Sequence, residues 1–103
     1  MNNMDDNQII ETMHILQEEC AEVVQAASKI FRFGFHTRWP DEISASNREK
    51  FEEEIGDLLA MVDILVENCV ISDNNVNLAR KGKKEKLLKW SNVYGTATTD
   101  KTT

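Results

Sequence analysis

Apolar residues recur in alternating steps of four and three along the first third of the chain. This spacing is typical of an amphipathic helix that packs along one face, here called its seam. The pattern predicts a first helix over residues 7–31. The seam positions are Ile9, Met13, Leu16, Cys20, Val23, Ala27 and Ile30.

The helical spacing breaks in residues 32–45, where Gly34 and Pro40 interrupt it. Ser46 and Glu49 then have the spacing of a capping box, in which each side chain satisfies a backbone amide of the first turn. A second seam follows and predicts a helix over residues 47–70. Its members are Phe51, Ile55, Leu58, Leu59, Val62, Leu65, Val66 and Cys69.

A turn at residues 72–74 precedes a third helical stretch, predicted over residues 74–91, in which Gly82 marks a weak point. Strand signals are scarce. The chain is therefore predicted to be an all-α antiparallel helical bundle, with one domain over residues 1–91. The polar tail, 92–103, is predicted to be disordered. Cys20 and Cys69 fall on apolar faces and are predicted to be buried as small hydrophobic residues.

The composition narrows the class of partner. The 103 residues carry a formal net charge of −6, which disfavours binding to the phosphate backbone of nucleic acids and favours binding to metal cations. No apolar run of about 18 residues and no leader-like segment stand out. The sequence thus predicts a cytoplasmic protein that binds neither nucleic acid nor membrane. A domain of this size often buries a face against a second copy, so a homodimer or homotetramer is expected.

Carboxylates flank both seams with the same angular offset. At about 100° per residue, Glu19 and Glu54 each lie roughly 75° from their seams, and Glu22 and Asp57 roughly 135°, in the same rotational sense. If the two helices pack antiparallel through their seams, these four side chains line one groove. Such a group must take up protons or bind a hard divalent cation, and Mg²⁺ prefers carboxylate oxygens. The plainer interpretation is that these four carboxylates belong to solvated helix faces.

Basic residues are candidates for contacts to an anionic substrate. They lie at the end of the first helix, in the aromatic loop and along the third stretch: Lys29, Arg32, Arg38, Lys83, Lys86 and Lys89. Rings of the loop could stack on a base, and the candidates are Phe33, Phe35, His36 and Trp39. The alternative is that Phe31, Phe35 and Trp39 fold the loop back on the bundle or fill a dimer interface, which we expect for Phe31 and Trp39.

The segments LQEECAEVVQAA (16–27) and EEEIGDLLAMVDIL (52–65) resemble the MazG-like, all-α nucleoside triphosphate pyrophosphohydrolase superfamily. That family has the signature E-E-x-x-E followed, after a spacer, by E-x-x-D. Here the signature is Glu18, Glu19 and Glu22, then Glu54 and Asp57. The segment EKLLKW (85–90) is similar to the family's closing helix, so the resemblance covers about residues 8–90.

The resemblance implies a MazG-like four-helix bundle completed by dimer or tetramer assembly. It implies Mg²⁺-dependent hydrolysis, with Mn²⁺ as a substitute, of nucleoside or deoxynucleoside triphosphates between the α and β phosphates, giving the monophosphate and pyrophosphate. By motif position, Glu19, Glu22, Glu54 and Asp57 would hold the metal. Glu18, together with Glu19, would serve catalysis by orienting or deprotonating the attacking water.

Two other functions stay open at this point. Phosphoribosyl-ATP pyrophosphohydrolases share the fold and the carboxylate pattern. A non-catalytic helical oligomerisation or interaction module would need only the seams, and it would tolerate amide substitutions at the four carboxylates.

Overall fold

The computed structural model describes residues 4–92, which form three helices: α1 (Asp6–Phe33), α2 (Asn47–Glu67) and α3 (Asp73–Trp90). These residues contain no β-strand, and one isolated antiparallel bridge joins Arg38 to Ser46. The all-helical prediction is confirmed, whereas the four-helix bundle and its assembly stay predictions. The predicted tail lies outside the described residues from position 93 onward.

The chain divides after Val70 into two compact units, one with α1 and α2 and the other with α3. The prediction of a single domain over residues 1–91 stays a prediction. Within the second unit, α3 begins at the N-cap Ser72, whose side chain accepts from the Asn75 amide at 3.1 Å. Gly82 does not interrupt this helix, and none of the residues of α3 is buried.

In the first unit, α1 and α2 pack against each other in antiparallel orientation. The C-terminal half of α1 shares a cleft with the first two turns of α2, and the N-terminal half of α1 shares another with the end of α2. Both helices begin with a capping box, formed by Asp5 and Gln8 in α1 and by the predicted pair Ser46 and Glu49 in α2. Gly34 ends α1 at a φ of 98°, where its amide donates to the Ile30 carbonyl at 2.8 Å.

The loop between α1 and α2, residues 34–46, is fastened to the first turn of α2. The amides of Asn47 and Arg48 donate to the carbonyls of Thr37 and Phe35 at 2.9 and 2.8 Å. The buried Asn47 side chain donates to the Gly34 carbonyl at 3.1 Å. These hydrogen bonds fix the position of the loop relative to α2. The Trp39–Pro40 peptide bond of the loop is cis.

The predicted end of α2 at residue 70 is wrong, because the helix ends at Glu67. Cys69 adopts a φ of 58°, and its amide donates to the Val66 carbonyl at 3.0 Å while the Val70 amide donates to the Leu65 carbonyl at 2.9 Å. This is the Schellman arrangement, which usually has glycine at the left-handed position. The sequence offered no such glycine, so the predicted helix ran too far.

The core between α1 and α2 is small. Among the described residues the buried apolar side chains are Ala26 and Leu65, the latter 2% exposed. The predicted burial of Cys20 and Cys69 is wrong, since both are exposed. Two helices cover only one stripe of each other, so residues toward the edge of a seam stay in contact with solvent. Phe31 and Trp39 do not fold back on this hairpin, because they are 86% and 74% exposed.

Candidate metal centre and adjoining clefts

Three of the four predicted metal ligands come together where α1 crosses the middle of α2. One carboxylate oxygen each from Glu19, Glu54 and Asp57 lies within 4.8 Å of the others. Glu54 and Asp57 are three residues apart and therefore share a face of α2. Glu19 reaches them from α1. We call these three residues the acid cluster.

The acid cluster is electrostatically strained. Removal from water, followed by the charges of Asp57, Glu22 and Glu18, raises the pKa of Glu19 above its ordinary value. Removal from water, followed by the charges of Glu22, Asp57, Glu19 and Glu53, raises the pKa of Glu54. Both carboxylates thus hold protons more tightly than an isolated glutamate, as expected when like charges share a site.

The donor set suits a hard divalent cation. All three side chains offer carboxylate oxygens, which Mg²⁺ and Mn²⁺ prefer, whereas Zn²⁺ is usually held by histidine and cysteine. In the described part of the chain, this is the group of side chains whose spacing fits a metal ion. Removal from water and like-charge repulsion together raise the pKa values of Glu19 and Glu54, and a cation at this point would relieve the repulsion.

The other two acidic residues of the motif lie beside the acid cluster. Glu22 is exposed one turn further along α1, and its charge acts on both Glu19 and Glu54. Glu18 is also exposed, and its charge acts on Glu19. Their predicted roles, as a metal ligand and as a catalytic residue, stay predictions.

A polar cleft continues from the acid cluster toward the loop, between α1 and α2. Its volume is about 140 Å³. It has acidic residues at the end near the cluster and two lysines further along. Its lining residues are Glu22, Gln25, Ala26, Lys29, Asn47, Lys50, Glu53 and Glu54.

An apolar cleft of about 320 Å³ adjoins the polar cleft at the loop. Phe33 and Trp39 supply its aromatic surface, and Thr37 lies between them in sequence. Lys29, Asn47 and Lys50 line both clefts. The groove therefore runs from carboxylates, past two lysines, to aromatic side chains.

The structure places the predicted basic residues in different surroundings. Lys29 lines both clefts, and the Arg32 guanidinium lies 5.0 Å from the centre of the Phe33 ring. Arg38 is held inside the loop, where it pairs with Glu49 at 3.0 Å and donates to the Ser44 carbonyl at 2.8 Å. Lys83 and Lys86 are exposed on α3, in the second unit. Their contacts to substrate stay predictions.

The sequence analysis missed Lys50 and Asn47. Lys50 lies four residues before Glu54, on the same face of α2, so the helical arithmetic that grouped the carboxylates could have found it. Asn47 lies seven residues before Glu54 on the same face, so the same arithmetic could have found it, whereas its hydrogen bond to the Gly34 carbonyl depends on the fold of the loop. The contact between Lys50 and the loop likewise depends on that fold.

A family model described as the MazG nucleotide pyrophosphohydrolase domain matches residues 8–79. The match covers 72 of the 103 residues. The chain belongs to the MazG family. The resemblance inferred from the two carboxylate motifs is thereby confirmed. The match includes the acid cluster and all residues that line the polar and apolar clefts. Membership of this family indicates nucleotide pyrophosphohydrolase activity in general.

The comparisons add no individual relative. No curated protein and no solved structure is significantly similar to this MazG chain. The helices within residues 4–92 lack a stretch with the length and hydropathy that a transmembrane segment requires. The predicted cytoplasmic location stays a prediction.

Proposed function

We propose that this chain hydrolyses nucleoside or deoxynucleoside triphosphates at the bond between the α and β phosphates, releasing the monophosphate and pyrophosphate. The observation that carries the proposal is the order of side chains along one groove. Carboxylates come first, then lysines, then an aromatic cleft. This order matches the polarity of a metal-bound triphosphate joined to a nucleoside.

The acid cluster, joined by Glu22, is proposed to hold Mg²⁺, for which Mn²⁺ could substitute. When bound, the ion supplies positive charge that offsets the charge of the triphosphate. The chain itself is acidic, with a formal net charge of −6, and would otherwise repel this substrate. Because the carboxylates come from both α1 and α2, the groove is in place only when the two helices are packed together.

Glu18 and Glu19 are proposed to act on the attacking water. Glu18 is exposed beside the cluster, and its carboxylate would orient the water and take its proton while Glu19 remains a ligand. As the water oxygen bonds to the α phosphorus, the bond from this phosphorus to the oxygen that bridges the α and β phosphates breaks. Pyrophosphate leaves with the electron pair of that bond. Phosphoryl transfer asks the protein mainly for positioning and charge stabilisation.

The rest of the nucleotide is proposed to lie along the groove. Lys29 would contact the phosphates, and the base would stack on Phe33 and Trp39 in the apolar cleft. Both aromatic side chains are more than half exposed and therefore accessible to a ligand. Arg32, Lys83 and Lys86 are further phosphate candidates. Arg38 is instead proposed to hold the loop, because Glu49 and the Ser44 carbonyl already engage its guanidinium.

The experiment that tests this function is pyrophosphate release from a panel of NTPs and dNTPs, with phosphoribosyl-ATP as a further substrate. We expect release in Mg²⁺ that EDTA abolishes, with the nucleoside monophosphate as co-product. Hydrolysis of phosphoribosyl-ATP alone would replace the proposed substrate class. If folded protein released pyrophosphate from no member of the panel, the non-catalytic module would be favoured.

We further propose that the chain assembles as a homodimer or homotetramer. Large apolar side chains of α1 and α2 are exposed, including Ile10, Val24 and Leu59. A folded monomer rarely leaves so much apolar surface uncovered on so small a core. We expect light scattering on a sizing column to give two or four times the 11.8 kDa chain mass. A monomer at micromolar concentration would contradict this assembly.

A further inference from the structure

Lys50 lies at the junction of the two clefts. It lines both of them and is half-buried, whereas Lys29 opposite is exposed. Glu54 lies one turn later on the same helix and belongs to the acid cluster. Lys50 is therefore the cation of α2 that stands between the carboxylates and the aromatic surface.

The ammonium of Lys50 is anchored on one side. Its Nζ donates to the Trp39 carbonyl at 3.3 Å, across the loop. The loop segment just before this carbonyl is fastened to α2, because the Asn47 and Arg48 amides donate to the Thr37 and Phe35 carbonyls. An ammonium has three donors, so two remain for a ligand in the groove.

The positive charge of Lys50 is not neutralised by an ion pair with a carboxylate of the described residues. In residues 4–92, Arg38 pairs with Glu49 and Arg48 pairs with Glu52, but neither Lys29 nor Lys50 forms an ion pair. Lys50 is thus the half-buried cation in this region that a substrate anion would pair with, without first displacing a carboxylate. A charge-assisted contact of this kind is stronger than a neutral hydrogen bond.

We infer that Lys50 binds the phosphate next to the nucleoside, and so fixes the distance between the base in the apolar cleft and the scissile bond at the acid cluster. The inference rests on the proposed function. A triphosphate that runs from the aromatic cleft to the acid cluster must pass Lys50 with its first phosphate. The same contact would remain in the product, so Lys50 would also hold the nucleoside monophosphate.

The product offers a test that needs neither metal nor turnover. In EDTA, we would titrate the protein with AMP, GMP, CMP, UMP and their deoxy forms, and with the matching nucleosides, by calorimetry. Wild-type protein should bind at least one monophosphate about tenfold or more tightly than its nucleoside. Lys50→Met keeps the aliphatic stem but removes the charge, and should erase most of that difference while leaving nucleoside affinity unchanged.

The matched control is Arg48→Gln, which removes one positive charge from the same turn of α2 at a residue paired with Glu52. It should keep the preference for the monophosphate. Lys50→Arg keeps the positive charge and should retain part of the preference for the monophosphate over the nucleoside. If only the aliphatic stem of Lys50 mattered, Lys50→Met would retain the preference as well. Lys50→Gln serves as the second charge-removing variant if Lys50→Met does not fold.

The inference is overturned if either charge-removing variant keeps the wild-type preference, or if Arg48→Gln loses it equally. It is also overturned if folded wild-type protein binds no monophosphate more tightly than its nucleoside. Turnover by the wild type is scored separately. An active enzyme whose Lys50 variants keep the preference would refute this inference alone, whereas absence of turnover on the whole panel would refute the proposed function.

Discussion

Replacement of Glu54 by Gln, or of Asp57 by Asn, is expected to abolish pyrophosphate release while leaving the helix content intact. Each substitution keeps the shape of the side chain and removes one anionic ligand from the acid cluster. The metal contributes several kcal/mol of charge stabilisation in such reactions, and each 1.36 kcal/mol is tenfold in rate. We therefore expect a loss of at least about a thousandfold in kcat/KM, measured with the best substrate of the panel.

Asp63→Asn is the control for this pair. Asp63 is an exposed carboxylate on the same helix, and it lies outside the acid cluster and both clefts. Its substitution removes the same charge and should leave turnover within about twofold, as for most exposed positions. Normal activity in Glu54→Gln or Asp57→Asn would contradict the assignment of these residues to the metal. Circular dichroism would exclude unfolding as the cause of a loss.

Most of the acid cluster could be predicted from the sequence, because helical geometry is regular. The offset of about 75° from the seam placed Glu19 and Glu54 at the border of the helix contact, and the structure brings these two together with Asp57. The offset of about 135° predicted that Glu22 and Asp57 line the same groove to an equal extent. The structure distinguishes them, since Asp57 belongs to the acid cluster whereas Glu22 lines the polar cleft outside it. The point at which α1 crosses α2 decides which carboxylates come together. The periodicity of a single helix does not predict that point.

The parts that could not be predicted depend on irregular backbone. Cys69 takes a left-handed conformation without being glycine, so no residue type marked the end of α2. The role of Arg38 in the loop required knowing that the loop folds back on Ser46 and Glu49. The contact between Lys50 and the Trp39 carbonyl joins residues eleven apart in sequence, and it follows from several hydrogen bonds of the irregular loop acting together.

The contribution of the acid cluster to the stability of the metal-free protein should become more favourable as the pH is lowered from neutrality. The pKa values of Glu19 and Glu54 are raised in the folded state. A carboxyl group whose pKa is raised by folding favours the folded state below its unfolded pKa, and this contribution is lost as pH rises through the folded pKa. At neutral pH in EDTA, the ionised cluster therefore opposes folding.

Mg²⁺ should offset the destabilisation by the ionised acid cluster and raise the melting temperature at neutral pH. An ion that binds the folded state alone raises the melting temperature by mass action, on the order of 10 °C at a hundredfold excess over its dissociation constant. The shift should shrink as the pH falls, because protons compete for the same oxygens. We would measure melting temperatures at fixed protein concentration, with Mg²⁺ or EDTA, at pH 7.5 and pH 5.5.

Glu54→Gln gives the discriminating comparison in this experiment. It should melt at a higher temperature than the wild type in EDTA at pH 7.5, because one repelling charge is gone, and it should gain little from Mg²⁺. Asp63→Asn should respond to Mg²⁺ as the wild type does. A Mg²⁺ shift of equal size in all three proteins would mean that the ion acts elsewhere. In that case the acid cluster would not hold the ion, and the raised pKa values of Glu19 and Glu54 would come from their removal from water and from the neighbouring carboxylate charges alone.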